Sequence, residues 1–230
     1  EVIPISLRLK GDLIEHIKGE KWSLRIRTKK DKTYKGMTRF SIQDPAPRTY
    51  VNEFAYLNHL KTEGVLVPRY EFIDVVINGK CKGVYALEES FSKELIESQG
   101  RREGVLIKFN ENAYWDQIVS WPDHSDKSYV PHEAAYYNLT QRTWLNTELD
   151  VWNKAYYSDK PDLQKQRDVA LGLLASFISG EKKASEIFDI ELLAKFFAIT
   201  YLWAGDHAFG WQNINFYYNP ITAKLEPIGF

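Results

Sequence analysis

Apolar and polar residues alternate along ISLRLKG (residues 5–11) and again along KWSLRIRTK (21–29), the two-residue period of half-buried strands. Between them GDLIEHIKGE is bounded by Gly11 and Gly19. After the turn-forming KDKTYKG, a third alternating run, MTRFSIQ (37–43), completes an expected antiparallel meander. The period then changes. In PRTYVNEFAYLNHLKTEG, Val51, Phe54, Ala55, Leu57 and Leu60 fall at helical spacing, and Gly64 offers a C-terminal cap. YEFIDVVINGKCKGVYALEE (70–89) returns to strands around Asn78-Gly79, the strongest short hairpin signal. Three strands, one helix and a hairpin predict a small antiparallel sheet with a single helix packed on it.

From about residue 92 the pattern loosens. SKELIESQGRREG predicts a short helix and VLIKF (105–109) a brief strand, while 110–157 is rich in Trp and Tyr with weak periodicity, as in loops and short helices. DKPDLQKQRDVALGLLASFISG predicts an amphipathic helix with Leu163, Val169, Ala170, Leu173, Leu174, Phe177 and Ile178 inward, Pro161 near its start and Gly180 at its end. DIELLAKFFAITYLWAG is apolar nearly all round, the pattern of a central helix, with Asp189 as N-cap and Leu192, Phe196, Phe197 and Leu202 as anchors. The loop DHAFGWQN and a hairpin turning at Asn219-Pro220 close the chain.

Composition narrows the function classes. A formal charge of −1 argues against a general nucleic-acid or membrane-surface binder. The one cysteine, Cys81, excludes an internal disulfide framework and a Cys-rich zinc site. No apolar run approaches the roughly 18 residues of a membrane span. Histidines 16, 59, 124, 132 and 207 show no ligand spacing, and no serine sits in a nucleophile elbow. Asn138-Leu139-Thr140 matches a glycosylation acceptor, a pattern frequent by chance. The chain opens inside a strand-like segment and stops at LEPIGF, as an excerpt of a longer protein would.

LRLKGD, EKWSLRIR, TRFSIQ, VVINGKCKGVYALEE, VLIKF, and GDHAFGWQNINFYYNP leading into LEPIGF together carry a family resemblance. In this order they resemble the CotH-type (spore coat protein H) family of atypical kinases over most of the chain, most weakly over 110–160. The resemblance implies an α+β, protein-kinase-like two-lobe fold. A small antiparallel sheet lobe with one helix would span 1–90, and a larger, mostly helical lobe 91–230. It implies a phosphotransferase using ATP and Mg²⁺ on the hydroxyls of a protein substrate; the charge and hydropathy of the chain add the expectation of no nucleic-acid partner and no transmembrane segment in this chain. It also implies a bacterial setting at the cell surface, in the spore coat or exported. The alternatives are a catalytically silent kinase-fold surface or coat interaction module and, third, a small-molecule kinase.

Phosphoryl transfer needs cations on the phosphates, oxygen ligands for metal, and an acid that orients the attacking hydroxyl. Asp206, on the loop behind the apolar helix, suits the acid. Alone it would be an ordinary solvated loop residue, and Asn213 seven positions on shifts the balance. The resemblance makes Asn213, before an aromatic strand, a metal ligand, and places a second metal-ligand Asp immediately after Phe230. Lys21 matches a family strand lysine, Glu89 a family carboxylate at the hinge, and Lys108 a family lysine just beyond it. Lys108, set among Val105, Leu106, Ile107 and Phe109, is expected to face a cleft or pair with an acid. Arg39 sits where a third-strand cation would reach phosphates, and Arg25 and Arg27 share a strand face. For Lys21 and Arg39 the competing expectation is the solvated face of a strand. Glu53 is expected either to pair with a phosphate-binding cation, Lys21 or Arg39, or to be an exposed helical residue.

Overall fold

The computed structural model describes residues 2–11, 14–17, 19–112, 147–210 and 213–230, with backbone alone for 14, 15 and 206. Most of the Trp- and Tyr-rich stretch and the Asn138-Leu139-Thr140 sequence lie outside the described residues. Within them the chain is α+β, with two antiparallel sheets and six α-helices. It forms two compact units, Glu1–Glu103 with Gly229, and Gly104–Ile228 with Phe230. No described helix is long and apolar enough to cross a membrane.

Unit 1 holds a five-stranded sheet of order β1-β2-β3-β5-β4. Its strands are β1 (Ile5–Leu9), β2 (Leu24–Thr28), β3 (Arg39–Gln43), β4 (Tyr70–Ile77) and β5 (Lys80–Glu89). The first three form the expected meander, with Leu7 opposite Ile26 and Ile26 opposite Phe40. Cross-strand alignment sorts the side chains onto two faces. Leu24, Ile26, Phe40, Ile42, Tyr85 and Leu87 gather with Met37 in a buried core. The opposite face carries Arg8, Arg25, Arg27, Arg39, Ser41, Gln43, Glu88 and Tyr70. β1 departs from the half-buried expectation. All five of its residues are exposed, because it is an edge strand whose apolar side chains have a neighbour on one flank only.

Helix α1 (Asn52–Thr62) buries Tyr56, Leu57 and Leu60, while the expected inward residues Val51 and Phe54 are exposed. Gly64, at φ +84°, takes the left-handed position beyond its end. The Gly64 and Val65 amides return to the Lys61 and Leu60 carbonyls, a Schellman closure. Asn78 and Gly79, both at positive φ, make the two-residue turn between β4 and β5. The short helix α2 (Lys93–Glu97) follows.

Among the described residues, unit 2 combines four α-helices with the three strands the sequence predicts and one short strand, Leu149–Val151, that it does not. A four-stranded sheet of order β7-β6-β8-β9 unites β6 (Leu106–Phe109), β7 (Leu149–Val151), β8 (Asn215–Asn219) and β9 (Lys224–Ile228). Asn219 turns the last hairpin, its Oδ1 accepting from the Ile221 amide. The helices are α3 (Lys154–Tyr157), α4 (Pro161–Ile178), α5 (Ala184–Ile187) and α6 (Ile190–Leu202). α4 presents Leu163, Ala170 and Leu174 to a core shared with Ile107, Phe188, Phe216 and Leu225. Val169 and Phe177, expected inward, are exposed. Asp189 caps α6, accepting from the Leu192 amide as expected. α6 is not enclosed, however. Phe196, Ile199 and Thr200 are buried while Phe197, Tyr201 and Leu202 are exposed. One sheet covers one stripe of a helix, and apolar residues elsewhere on its surface stay uncovered by it.

Candidate active site

In unit 1 the polar sheet face carries a network that the sequence reading missed. The Lys10 ammonium donates to Glu88 Oε2 (2.8 Å) and Gln43 Oε1 (3.1 Å), and Gln43 Nε2 donates to the same Glu88 oxygen (3.0 Å). Glu53, on the first turn of α1, faces this network. The cations acting on it are Arg48 and Lys10, not Lys21 or Arg39 as the pairing expectation had it. Burial, then the Glu88 carboxylate, pushes the Glu53 carboxyl above its ordinary range. Burial, then that carboxyl, likewise pushes the Tyr70 phenol up. Glu53 and Tyr70 interact with each other through their buried side chains, outside the strictest hydrogen-bond geometry. The missed residues had a signal: charged or amide side chains, Lys10, Gln43 and Glu88, each closing an alternating strand run.

Lys21 and Arg39 lie at opposite ends of β3. The Lys21 ammonium donates to the Val84 carbonyl (3.0 Å) and stands 4.0 Å from Asp44 Oδ1, just past the strand. Arg39 opens β3, roughly 16 Å of strand away at about 3.3 Å per residue. Burial, then the neighbouring Arg27, lowers the Arg39 pKa from its ordinary value.

Glu89 follows Glu88 and so turns to the other sheet face. There the Arg69 guanidinium grips it with both nitrogen arms, Nε at 2.9 Å, and the Arg69 amide adds a third contact at 3.2 Å. Glu89 is 1% exposed, so its charge is spent on fixing the end of β5. A cavity of about 350 Å³ in unit 1 is lined by Arg69 and Tyr70 but by none of the expected site residues.

In unit 2 a chain of contacts joins Lys108 to Asn213. The Lys108 ammonium rests 4.7 Å from the centre of the Trp152 ring. The Trp152 indole donates to Asn215 Oδ1 (2.8 Å), Asn215 Nδ2 donates to the Asn213 carbonyl (2.8 Å), and Asn213 Nδ2 donates to the His207 carbonyl (2.9 Å). Asn213 is thereby held from both its backbone and its amide, and its Oδ1 has a set position.

Asp206 opens a 3₁₀ turn, Asp206–Phe209, that follows α6. The turn is pinned at both ends. The Gly205 amide returns to the Thr200 carbonyl (2.9 Å), and the Phe209 ring stacks on Phe197 at 5.4 Å. A Cβ on Gly205 would come within 3.2 Å of the Thr200 side chain, so the close approach favours glycine. Anchoring therefore falls to Phe196, Phe197 and Phe209, while Leu202, an expected anchor, is exposed.

No curated protein matches the chain. A family model described as CotH kinase protein matches residues 7–225, covering both the polar sheet face of unit 1 and the Asp206–Asn213 segment of unit 2. With nearly the whole chain matched, this protein belongs to the CotH kinase family.

Proposed function

We propose that the chain is an ATP- and Mg²⁺-dependent phosphotransferase acting on hydroxyls of a protein substrate. The proposed fold is protein-kinase-like, with unit 1 as the sheet lobe and unit 2 as the larger lobe. Membership of the CotH kinase family carries this reading. Local order in unit 2 supports it. In unit 1, Lys21 and Arg39 are candidate phosphate cations, each at its own end of β3. Glu89 serves indirectly, by fixing β5 through Arg69. In unit 2, Lys108 is a further phosphate-directed cation.

Asp206 accepts the proton of the acceptor hydroxyl as that oxygen bonds to the γ-phosphorus. The bond from phosphorus to the bridging oxygen breaks, and its electron pair leaves with ADP. Asn213 fits Mg²⁺. The ion takes hard oxygen donors, with one or two protein ligands completed by phosphates and water, and the Asn213 amide nitrogen, tied to the His207 carbonyl, orients the amide oxygen that would serve as one. When bound, the ion neutralises charge on the phosphates.

The test is transfer of γ-labelled phosphate from ATP to a dephosphorylated protein acceptor, or to the chain itself, by a protein that continues past Phe230. Labelled protein that disappears on chelation of Mg²⁺ is expected. ATP binding with no transfer to any protein would replace this reading with the catalytically silent binding module.

A further inference from the structure

Four arginines share the polar face of the unit 1 sheet. Arg8 on β1 lies directly opposite Arg25 on β2, and Arg27 on β2 directly opposite Arg39 on β3. Like charges facing each other across strands destabilise a sheet, and here two such pairs stand two residues apart on β2. Burial lowers the Arg39 pKa most, and Arg27 and Arg8 lower it further while Glu94 opposes them. Nearby acids have other partners as well: Glu88 is bonded by Lys10 and Gln43, and Glu94, which acts on Arg39, accepts from Thr38 (2.9 Å). Arg8 and Arg27 are exposed. In a chain of formal charge −1 this concentration of positive charge is local.

We propose that the face formed by Arg8, Arg25, Arg27 and Arg39 is a polyphosphate-binding surface, taking the phosphate chain of a nucleotide or a free inorganic polyphosphate. For the nucleotide the inference rests on the phosphotransferase reading; for free polyphosphate it stands without it. Charge density selects the ligand. The patch spans about 10 Å across three strands and about 7 Å along them. An extended acidic peptide, with carboxylates on one side at every second residue, can set about two charges there. A polyphosphate sets a charge on every phosphate, and guanidinium forks match phosphate oxygens in pairs.

Calorimetric titration of the full chain with tripolyphosphate, ATP, adenosine and polyglutamate tests this, using wild type, Arg8→Gln/Arg27→Gln and Arg8→Lys/Arg27→Lys. The exposed positions favour folding of both variants, and relief of repulsion adds to this in the Gln variant, checked by thermal melting. Tripolyphosphate is expected to bind wild type, to lose at least about tenfold in affinity in the Gln variant and to lose less in the Lys variant, which keeps charge without the fork. Tripolyphosphate binding lost in the Gln variant, with neither ATP nor adenosine bound by wild type, upholds this surface and sinks the nucleotide reading. ATP bound equally by all three proteins, with no tripolyphosphate binding, overturns the surface and leaves the nucleotide reading standing. Tighter binding of polyglutamate than of tripolyphosphate also overturns it, in favour of an acidic peptide.

Discussion

Glu53 is the residue whose surroundings make the sharpest claim. Its carboxyl is raised above the ordinary value of 4.5 by burial and by Glu88. From that value up to the raised folded one, the native state holds a proton that the unfolded chain has released. Stability therefore falls as pH rises through this window and is fully present below it. Glu53→Gln mimics the protonated acid and removes the dependence. The variant should unfold at higher urea than wild type at pH 8, with the gap closing as pH approaches 4.5. Identical pH profiles for the two proteins would show that Glu53 titrates normally. Single residues were legible in the sequence by type but not by face. Glu88 and Glu89 are adjacent, and only the alignment of Ser41 with Glu88 and of Phe40 with Glu89 reveals that the first meets Lys10 and Gln43 while the second meets Arg69.

Elements were legible where a local chemical requirement fixes them. The β4–β5 hairpin follows from Asn78-Gly79 adopting positive φ, and the end of α1 from Gly64 doing the same. β7 escaped because three residues, Leu149–Val151, are too short to show a period. It is nevertheless the strand that leads to Trp152, and through it to the Lys108–Asn213 chain. Exposure along α6 escaped for a different reason: apolar residues on every side record what a helix offers, not how much of it a sheet can cover. Asn215, on β8 and 2% exposed, is the joint of the chain, accepting from Trp152 and donating to Asn213. Asn215→Ala strands the indole N–H and frees the turn that holds Asn213. It should cost about 1–3 kcal/mol in denaturant unfolding. It should also raise the Mg²⁺ concentration needed for half-maximal transfer. A stability loss with an unchanged Mg²⁺ requirement would separate Asn215 from the metal.

At the scale of the whole molecule the candidate residues divide between the two units, with Lys21, Arg39, Glu53 and Glu89 in unit 1 and Lys108, Asp206 and Asn213 in unit 2. On the proposed phosphotransferase reading, two substitutions in unit 2 should fail differently. Asp206 stands on a turn pinned by Gly205 and Phe209, and on the proposed reading Asp206→Asn removes the proton acceptor. Nucleotide affinity should survive while transfer falls by about 10²–10⁴-fold, the usual cost of losing a positioned general base. Asn213→Ala removes the proposed oxygen ligand instead. It should weaken Mg²⁺ dependence by about tenfold or more, with transfer partly restored at high Mg²⁺. The diagnostic measurement is the transfer rate of each variant across a Mg²⁺ titration. Recovery of Asn213→Ala but not of Asp206→Asn at high Mg²⁺ assigns metal binding to one and proton acceptance to the other. Recovery of both would mean that Asp206 also acts through the metal, and wild-type transfer by Asp206→Asn at every Mg²⁺ concentration would remove it from the chemistry altogether.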